Sequence, residues 1–552
     1  MKAQDMSKRS RWLGWLFISV SLLIISLDNT ILNVALPSIS TGLRATASQL
    51  QWVVDSYVLV FAALLLTMGS LGDKHGRKRA LQFGIAWFAL FSFIAANSTS
   101  TDMLIVARGF LGIGGALIMP ATLSLITAMF RDPKERAQAI AMWAAVFGLG
   151  VGIGPLIGGF LLEHFDWSAV FYVNLPVAAV ALVGGYFFLP ESRDEDAPPA
   201  DWVGVGFSIV GLFLLVYGII EAGTDGWTAQ KVLLSLGASG VLLAIFAWWE
   251  ARTENAMLPL YLFRNPSFTG ANVAMTLVMF GMFGVFFFFS QFFQSVEGYS
   301  PLETGWRLLP MAIAIMIAAG MSAKASLKLG TKLAVALGFL IASGGMFYLS
   351  QVSEPGMAYS TLIAGLMVIG AGMGVAMSPA TNSIMGSTPV DKAGVASAMN
   401  DTTRQVGGAL GVAVLGTVLN DVYLNQIVSL KPYLEQLAGM REKLGQAAGA
   451  QEFSAEKAYE GISRGIQGAH MIAGKIAEMA GPLGRPIQQQ ITSVADAAFV
   501  DGMTQAMVVA GVVLLAAALF VLAVLPSQVR CIEEGCAEEG DEAVELSAVA
   551  AD

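Results

Sequence analysis

Stretches of apolar residues, each roughly 18 to 25 long and bounded by short polar segments, recur along almost the whole chain, and a helix of about 20 such residues spans the hydrocarbon core of a bilayer. They fall at 13–36, 50–71, 80–98, 103–127, 138–162, 168–190, 203–221, 232–249, 267–290, 304–323, 333–351, 357–379, 394–419 and 501–525. The pattern predicts an all-α polytopic membrane protein with 14 transmembrane helices. The first run ends without a small-residue cleavage site, so it reads as a retained span rather than a signal peptide. Two polar interruptions organise the rest. "ESRDEDAPPAD", Glu191 to Asp201, is charged and proline-bearing and marks a linker after six spans. Residues 420–500 carry apolar positions at helical spacing in "KPYLEQLAGMREKLGQAAGAQEFSAEKAYEGI" and around "AHMIAGKIAEMA", with "GPLGRP" breaking the second stretch. A helical hairpin outside the membrane is expected there.

Composition agrees with the pattern: 55% of residues are hydrophobic and 13% charged, and the mean hydropathy is +0.66, whereas soluble domains are about 25% charged. The formal net charge of −9 arises largely in the tail "EEGCAEEGDEAVE" and in the long polar segment, so nucleic acid is not expected as a partner. Cys531 and Cys536 lie in that tail with no histidine nearby to complete a zinc site, and no metal or cofactor is expected. Alternate loops are basic: Lys74, Arg77, Lys78 and Arg79, then Arg131, Lys134 and Arg136, then Lys324, Lys328 and Lys332. The opposite loops hold few cations, such as Arg44 and Lys231. This asymmetry puts both termini in the cytoplasm of a bacterial cell, with the protein multi-pass in its membrane.

Between spans two and three lies "GSLGDKHGRKRAL", Gly69 to Leu81. Gly72 and Gly76 suit a tight turn, Asp73 can accept hydrogen bonds from a helix end or a basic neighbour, and the cations starting at Arg77 anchor the cytoplasmic edge or serve only as topology signals. The order G-x-L-G-D-x-x-G-R-K resembles the loop signature of the major facilitator superfamily of secondary transporters, in which this loop takes part in conformational switching. Further segments match in order. "RGFLGIGGALIMPATLSLI" is similar to the fourth-span motif, which implies a proton-coupling role for Arg108, although Leu111 stands where the family usually carries glutamine. "GLGVGIGPLIGGFLLEHFDW" resembles the fifth-span motif of antiporters, which implies a role in switching for Gly150, Gly154, Pro155 and Gly158. These glycines do not form a nucleotide loop, because they sit inside one apolar run rather than between a strand and a helix. They let helices approach closely, and the proline bends the run.

Asp28 stands in "SLLIISLDNTILNVALPSI", where an ionised carboxylate at mid-membrane costs about 2.5 to 3.5 kcal/mol on lenient scales. At roughly 1.5 Å per residue it lies near 24 Å from the cytoplasmic end of its span, and it is expected to have no ion-pair partner. That stretch, together with Asp55 and Tyr57 in "WVVDSYVLVFAALLLTMGSLGD", is similar to the fourteen-span drug/proton antiporter branch and to QacA-like multidrug exporters. In span thirteen, Asp401 occupies a position where such exporters often carry an acid, and Arg404 follows on the same helical face. Either the two neutralise one another, or Asp401 titrates or meets a cationic substrate while Arg404 tunes it. Span ten has no acid, a departure from some cation exporters. Met275, Met279 and Met282 beside "FFFFSQFF" suit either core packing or a pocket for lipophilic cations, and Asn272, Gln291 and Gln294 either line a pathway or hydrogen-bond between spans.

The resemblance implies a major facilitator fold: an N-terminal six-helix bundle at 1–190, a cytoplasmic linker at 191–202 and two inserted helices at 203–249. A C-terminal bundle follows at 250–525, with an extracytoplasmic helical loop at 420–500 and an acidic tail at 526–552. It implies a monomeric, proton-coupled exporter of lipophilic or quaternary cationic drugs working by alternating access. The partners would be those substrates, protons and the lipid bilayer. The second reading is export of an anionic or neutral metabolite such as a siderophore, bile acid or self-made antibiotic. An enzyme is not expected, since His75, His164 and His470 lie in separate loops, and no G-x-x-x-x-G-K-[ST] sequence occurs to bind a nucleotide.

Overall fold

The computed structural model describes residues 6–529 except 44, 46, 194–200, 254–255, 257, 259, 390–391, 446–453, 464 and 481–483. The acidic tail with its two cysteines, most of the linker, Arg44 and the first three residues of "GPLGRP" lie outside the described residues. With no water to satisfy backbone polar groups in lipid, the chain closes its hydrogen bonds within helices. In order these are α1 Lys8–Leu43, α2 Ala47–His75, α3 Arg77–Ala96, α4 Thr101–Met129, α5 Pro133–His164, α6 Ala169–Tyr172, α7 Asn174–Phe188, α8 Trp202–Asp225 and α9 Gln230–Glu250. They continue as α10 Pro266–Gln291, α11 Pro301–Val352, α12 Tyr359–Gly386, α13 Ala393–Ile427, α14 Lys431–Gly445, α15 Ala455–Ser463, α16 Ile466–Ala480 and α17 Gly484–Val524.

Among the described residues, 13 helical stretches are long and apolar enough to cross a membrane. One of them, within α11, is two spans joined at Gly330, whose φ of 81° and ψ of 159° interrupt the helix. A positive φ is accessible to glycine without a Cβ clash, which is why the chain can turn there between two apolar runs. Counting α11 as two restores the fourteen spans read from the sequence.

The helices form two six-helix bundles with two helices inserted between them in sequence. In the first, α1 packs on α5 and α7 while α2 and α3 pack on α4. In the second, α10 packs on α12 and α13, α11 on α12 and α17, and α13 on α17. The α8–α9 hairpin leans through α8 on α2 and α13. The bundles meet along α5 with α11 and α12, and along α2 and α4 with α13. Two glycine stripes on α5 make this packing close. Gly150, Gly154 and Gly158 lie against Ser26, Thr30 and Ile31 of α1, whereas Gly148, Gly152 and Gly159 lie against Ile315, Ala312 and Leu302 of α11. One helix thus carries one stripe for its own bundle and another for the opposite bundle.

The segment after span thirteen departs from a simple hairpin. α13 runs on to Ile427, three short helices follow, and α17 begins at Gly484 rather than near 501. Hydropathy marks only the lipid-crossing part of α17. Its polar first turns are helical because Ile491, Ala495, Ala498 and Phe499 are buried, and α16 packs on this helix. Tyr423 of α13 donates its hydroxyl to the Ile462 carbonyl (3.0 Å), and His470 of α16 meets Asp496 of α17 at 2.7 Å.

Candidate functional site

Five helices converge on Asp28. It is buried at the middle of α1, and Arg108 of α4, also buried, forms an ion pair with its Oδ2. Arg108 Nε donates to the Val53 carbonyl of α2 at 3.0 Å, and its guanidinium carbon lies 4.5 Å from the centre of the Tyr57 ring. From α7, Asn174 Nδ2 donates to Asp28 Oδ1 (3.1 Å) and to Ser92 Oγ of α3 (3.2 Å). Asp28 is therefore paired, contrary to the expectation from its local stretch. Its partner is 80 positions away in the chain, and no reading of α1 alone reveals it. Such a pair offsets the cost of burying each charge only while both members remain.

Tyr57 is fully buried, stacked on Phe61 at 5.5 Å and edge-on to Phe88 at 6.5 Å. Gly115 of α4 makes room for it: a Cβ there would stand 2.9 Å from the Tyr57 hydroxyl. Asp55 is half-buried on the same helix. Two residues correspond to about 200° of helix, so Asp55 faces away from the Tyr57 side of α2.

The second polar cluster lies on α13, where Asp401 and Arg404 are both buried yet make no ion pair among the described residues. Asp401 Oδ1 accepts from Asn400 Nδ2 at 3.2 Å, and Oδ2 has no hydrogen-bond partner. Arg404 turns instead to the first bundle, where its guanidinium carbon lies 4.2 Å from the Phe147 ring centre and 5.0 Å from that of Trp143, both on α5. The two side chains thus point to different partners, although they stand three residues apart on one helix.

The loop between α2 and α3 is bound on both sides. Asp73 accepts from Arg77 Nε at 2.8 Å and from the backbone N–H groups of Gly394 (3.0 Å) and Val395 (3.2 Å) at the start of α13. Free N–H groups and the partial positive charge of a helix N-terminus suit a carboxylate. Arg77 also donates through Nη1 to Ser192 Oγ (3.0 Å), and Glu191 Oε1 accepts from the Lys78 N–H (3.2 Å). Gly76 has φ 113°, and a Cβ there would stand 2.7 Å from Glu191 Oε1. Gly72, expected in the turn, lies instead within α2, and only Gly76 carries the turn's positive φ; the nearest contact of a Cβ at Gly72 is Ala80 Cβ at 3.5 Å.

Several participants were not singled out from sequence. Asn174 is an isolated amide in the run "VFYVNLPVAAVALVGG" and could have been noticed by the same reasoning that marked Asp28. Trp143, Phe147 and Gly394 carry no local signal. Conversely, Asn272 and Gln291 donate to carbonyls of their own helix, those of Phe268 and Phe287, and Gln294 donates to Ser290 Oγ. Met275, Met279 and Met282 are buried in the core. Among the described residues, no three His, Cys, Asp or Glu side chains are grouped so as to hold a metal ion.

The chain is 37% identical over 417 residues to the multidrug efflux pump LfrA of Mycolicibacterium smegmatis, covering 75% of this chain and 82% of that protein. It is 32% identical over 513 residues to the tetracenomycin C resistance and export protein of Streptomyces glaucescens, covering 93% of this chain and 91% of that protein. It is 34% identical to the methyl viologen resistance protein SmvA of Salmonella typhimurium over 417 residues, 74% of this chain and 83% of that one. Among solved structures, a bacterial homologue of the human lysosomal transporter Spinster, in an inward-facing, unoccupied conformation, superposes with a TM-score of 0.54 at 18% identity, over 94% of this chain and 98% of that chain. That likeness concerns the fold. The sequence pattern of the Major Facilitator Superfamily matches residues 18–412, a stretch that takes in the Asp28–Arg108 pair, the α2–α3 loop with its partner on α13, and both glycine stripes of α5; the chain belongs to that superfamily.

Proposed function

We propose that the protein is a proton-coupled antiporter, not an enzyme, that exports lipophilic or quaternary cationic drugs, antiseptics and dyes by alternating access. It acts as a monomer in a bacterial cell membrane with both termini in the cytoplasm. Residues 1–190 and 250–525 form the two moving bundles, 191–202 the cytoplasmic linker, 203–249 the inserted helices, 420–500 an extracytoplasmic loop and 526–552 a cytoplasmic tail. The observation that carries the reading is the Asp28–Arg108 ion pair, buried within the lipid-crossing part of the first bundle and braced by Asn174. A proton arriving from outside neutralises Asp28, and Arg108 then loses its charged partner and keeps only the Val53 carbonyl and the Tyr57 face. Loss of the pair favours a different packing of α1 on α4, and return of the proton to the cytoplasm restores it. Asp73 and Gly72 in the last turns of α2, with Gly76 and Arg77, latch the cytoplasmic side through α13. Gly150, Gly154, Pro155 and Gly158 let α5 slide on α1. Asp55 and Asp401 are secondary acids.

A second reading, export of an anionic or neutral metabolite, draws support from Arg404 Nη1, a buried donor with no hydrogen-bond partner. Reconstituted vesicles separate the two. Under an imposed proton gradient, the first reading expects uptake of a lipophilic cation with counterflow of protons. Proton flux driven only by anionic or neutral compounds would select the second.

A further inference from the structure

Arg404 occupies a surprising place for a buried cation. A guanidinium presents five donors in a planar fork that suits a carboxylate, and Asp401 stands one turn earlier on the same helical face with Oδ2 unpartnered. Yet the side chain crosses the seam between bundles to lie on the rings of Phe147 and Trp143, 4.2 and 5.0 Å from their centres. The two rings are four residues apart on α5 and lie nearly parallel, 17° from coplanar, with centres 6.5 Å apart. Trp143 is fixed by its indole N–H, which donates to Thr122 Oγ1 of α4 at 3.2 Å. The remaining polar contact of the guanidinium is weak, Nη2 to the Met377 thioether of α12 at 3.7 Å.

We propose that Trp143, Phe147 and Met377 form the docking site for the charged head of a lipophilic cation, and that Arg404 is its tethered place-holder, displaced by substrate onto Asp401 Oδ2. The proposal rests on the reading of the protein as a cation exporter and names where that cation sits. Aromatic faces attract any cation within about 6 Å, and a quaternary or delocalised cation has few or no N–H donors to satisfy elsewhere. Its methyl or aryl groups pack well against a thioether. The displaced guanidinium exchanges two ring faces for a charge-assisted hydrogen bond to the unpartnered Oδ2 of Asp401, so neither charge is left alone in the membrane. A neutral molecule of the same shape brings no charge to replace the guanidinium on the rings. Because the rings belong to the first bundle and Met377 and Arg404 to the second, the occupant joins the bundles as Arg404 does without it.

The test is equilibrium binding to purified full-length protein, with the fluorescent cation ethidium and the neutral dye N-phenyl-1-naphthylamine as probes. Arg404→Met, which removes the place-holder, is expected to tighten ethidium binding about tenfold. Trp143→Leu should weaken it about tenfold, Trp143→Phe should stay within threefold of wild type, and the double variant should lose the gain of Arg404→Met. The neutral dye should change less than twofold throughout. Weaker ethidium binding by Arg404→Met, or parallel changes for both dyes, would overturn the proposal. If Arg404→Met does not fold, equal ethidium affinity in Trp143→Leu and Trp143→Phe would overturn it instead. Wild-type protein that neither binds nor exports ethidium would remove the cation reading itself. Wild-type export with unchanged affinity in both Arg404→Met and Trp143→Leu would remove only the place-holder.

Discussion

The carboxylate of Asp73, at the end of α2, accepts the backbone N–H of Gly394 at the first turn of α13, 321 positions later in the chain. Together with the bond from Val395 N–H, it ties the two bundles at one end of the molecule through the electrostatics of a helix terminus. Asp73→Asn keeps the shape but removes the charge, which weakens both this contact and the pair with Arg77. A helix-terminus charge contributes up to about 2 kcal/mol in partly buried sites, enough to move a two-state population severalfold. The expected outcome is a longer, broader distance distribution between spin labels at Lys74 and Thr388, with export reduced at least tenfold. An unchanged distribution would separate Asp73 from the latch.

The α5 stripe makes a different prediction. Gly154 leaves no room for a Cβ beside Thr30 Oγ1 of α1, and Gly150 is equally tight against Ser26. Gly154→Ala should overpack that seam at a cost of about 1 to 3 kcal/mol. Thr30→Ala removes the colliding hydroxyl but keeps a Cβ 2.8 Å from the new methyl, so the double variant should recover part of that loss, since neighbouring sites couple. Thermal unfolding in detergent measures it, and strictly additive effects would argue that the seam relaxes elsewhere.

How much of this was legible in the sequence depends on the range over which each signal acts. The fourteen spans were legible because lipid demands a long apolar helix, a local property. The break at Gly330 was legible as well, since it falls between the spans at 304–323 and 333–351. The full extent of α17 was less so, because the polar first turns of a helix carry no apolar run to mark them. Motif residues such as Asp73 and Arg108 could be picked out individually, but their partners Gly394 and Asp28 lie hundreds or tens of positions away. Asp401 and Arg404 show the limit most clearly. Their spacing favours a pair, yet the rings of Trp143 and Phe147, brought from another helix, draw the guanidinium away.

The α14–α16 segment packs on the polar start of α17 through His470–Asp496 and on the end of α13 through Tyr423–Ile462. Neither contact involves Asp28, Arg108, Asp401 or Arg404, so the segment should govern passage rather than recognition. Replacing residues 431–483 by a short turn should leave ethidium affinity within about threefold of wild type while changing the export rate. Loss of binding in a correctly inserted deletion would place recognition in the segment instead. Asp496→Asn alone should loosen α16, seen as faster amide exchange there, with a stability loss below about 1 kcal/mol because the pair is partly exposed.

The Asp28–Arg108 pair allows proton coupling to be separated from stability. Asp28→Asn cannot ionise, so it leaves Arg108 as a buried cation with no carboxylate, and breaking a buried pair by removing one partner costs about 3 to 5 kcal/mol. The single variant should therefore insert yet unfold at lower temperature. Adding Arg108→Gln removes the orphaned charge, and an amide can still donate toward the Val53 carbonyl, so Asp28→Asn/Arg108→Gln should recover much of that stability. Neither variant holds a titratable group at this position, and neither should couple export to protons. Asn174→Leu makes the complementary change: it keeps the ion pair but removes the donor to Asp28 Oδ1, and should cost about 1 to 3 kcal/mol while leaving some coupling. The measurements are thermal unfolding and simultaneous dye and proton flux in vesicles. A double variant that is stable and still exchanges dye for protons would move the proton site to Asp55 or Asp401.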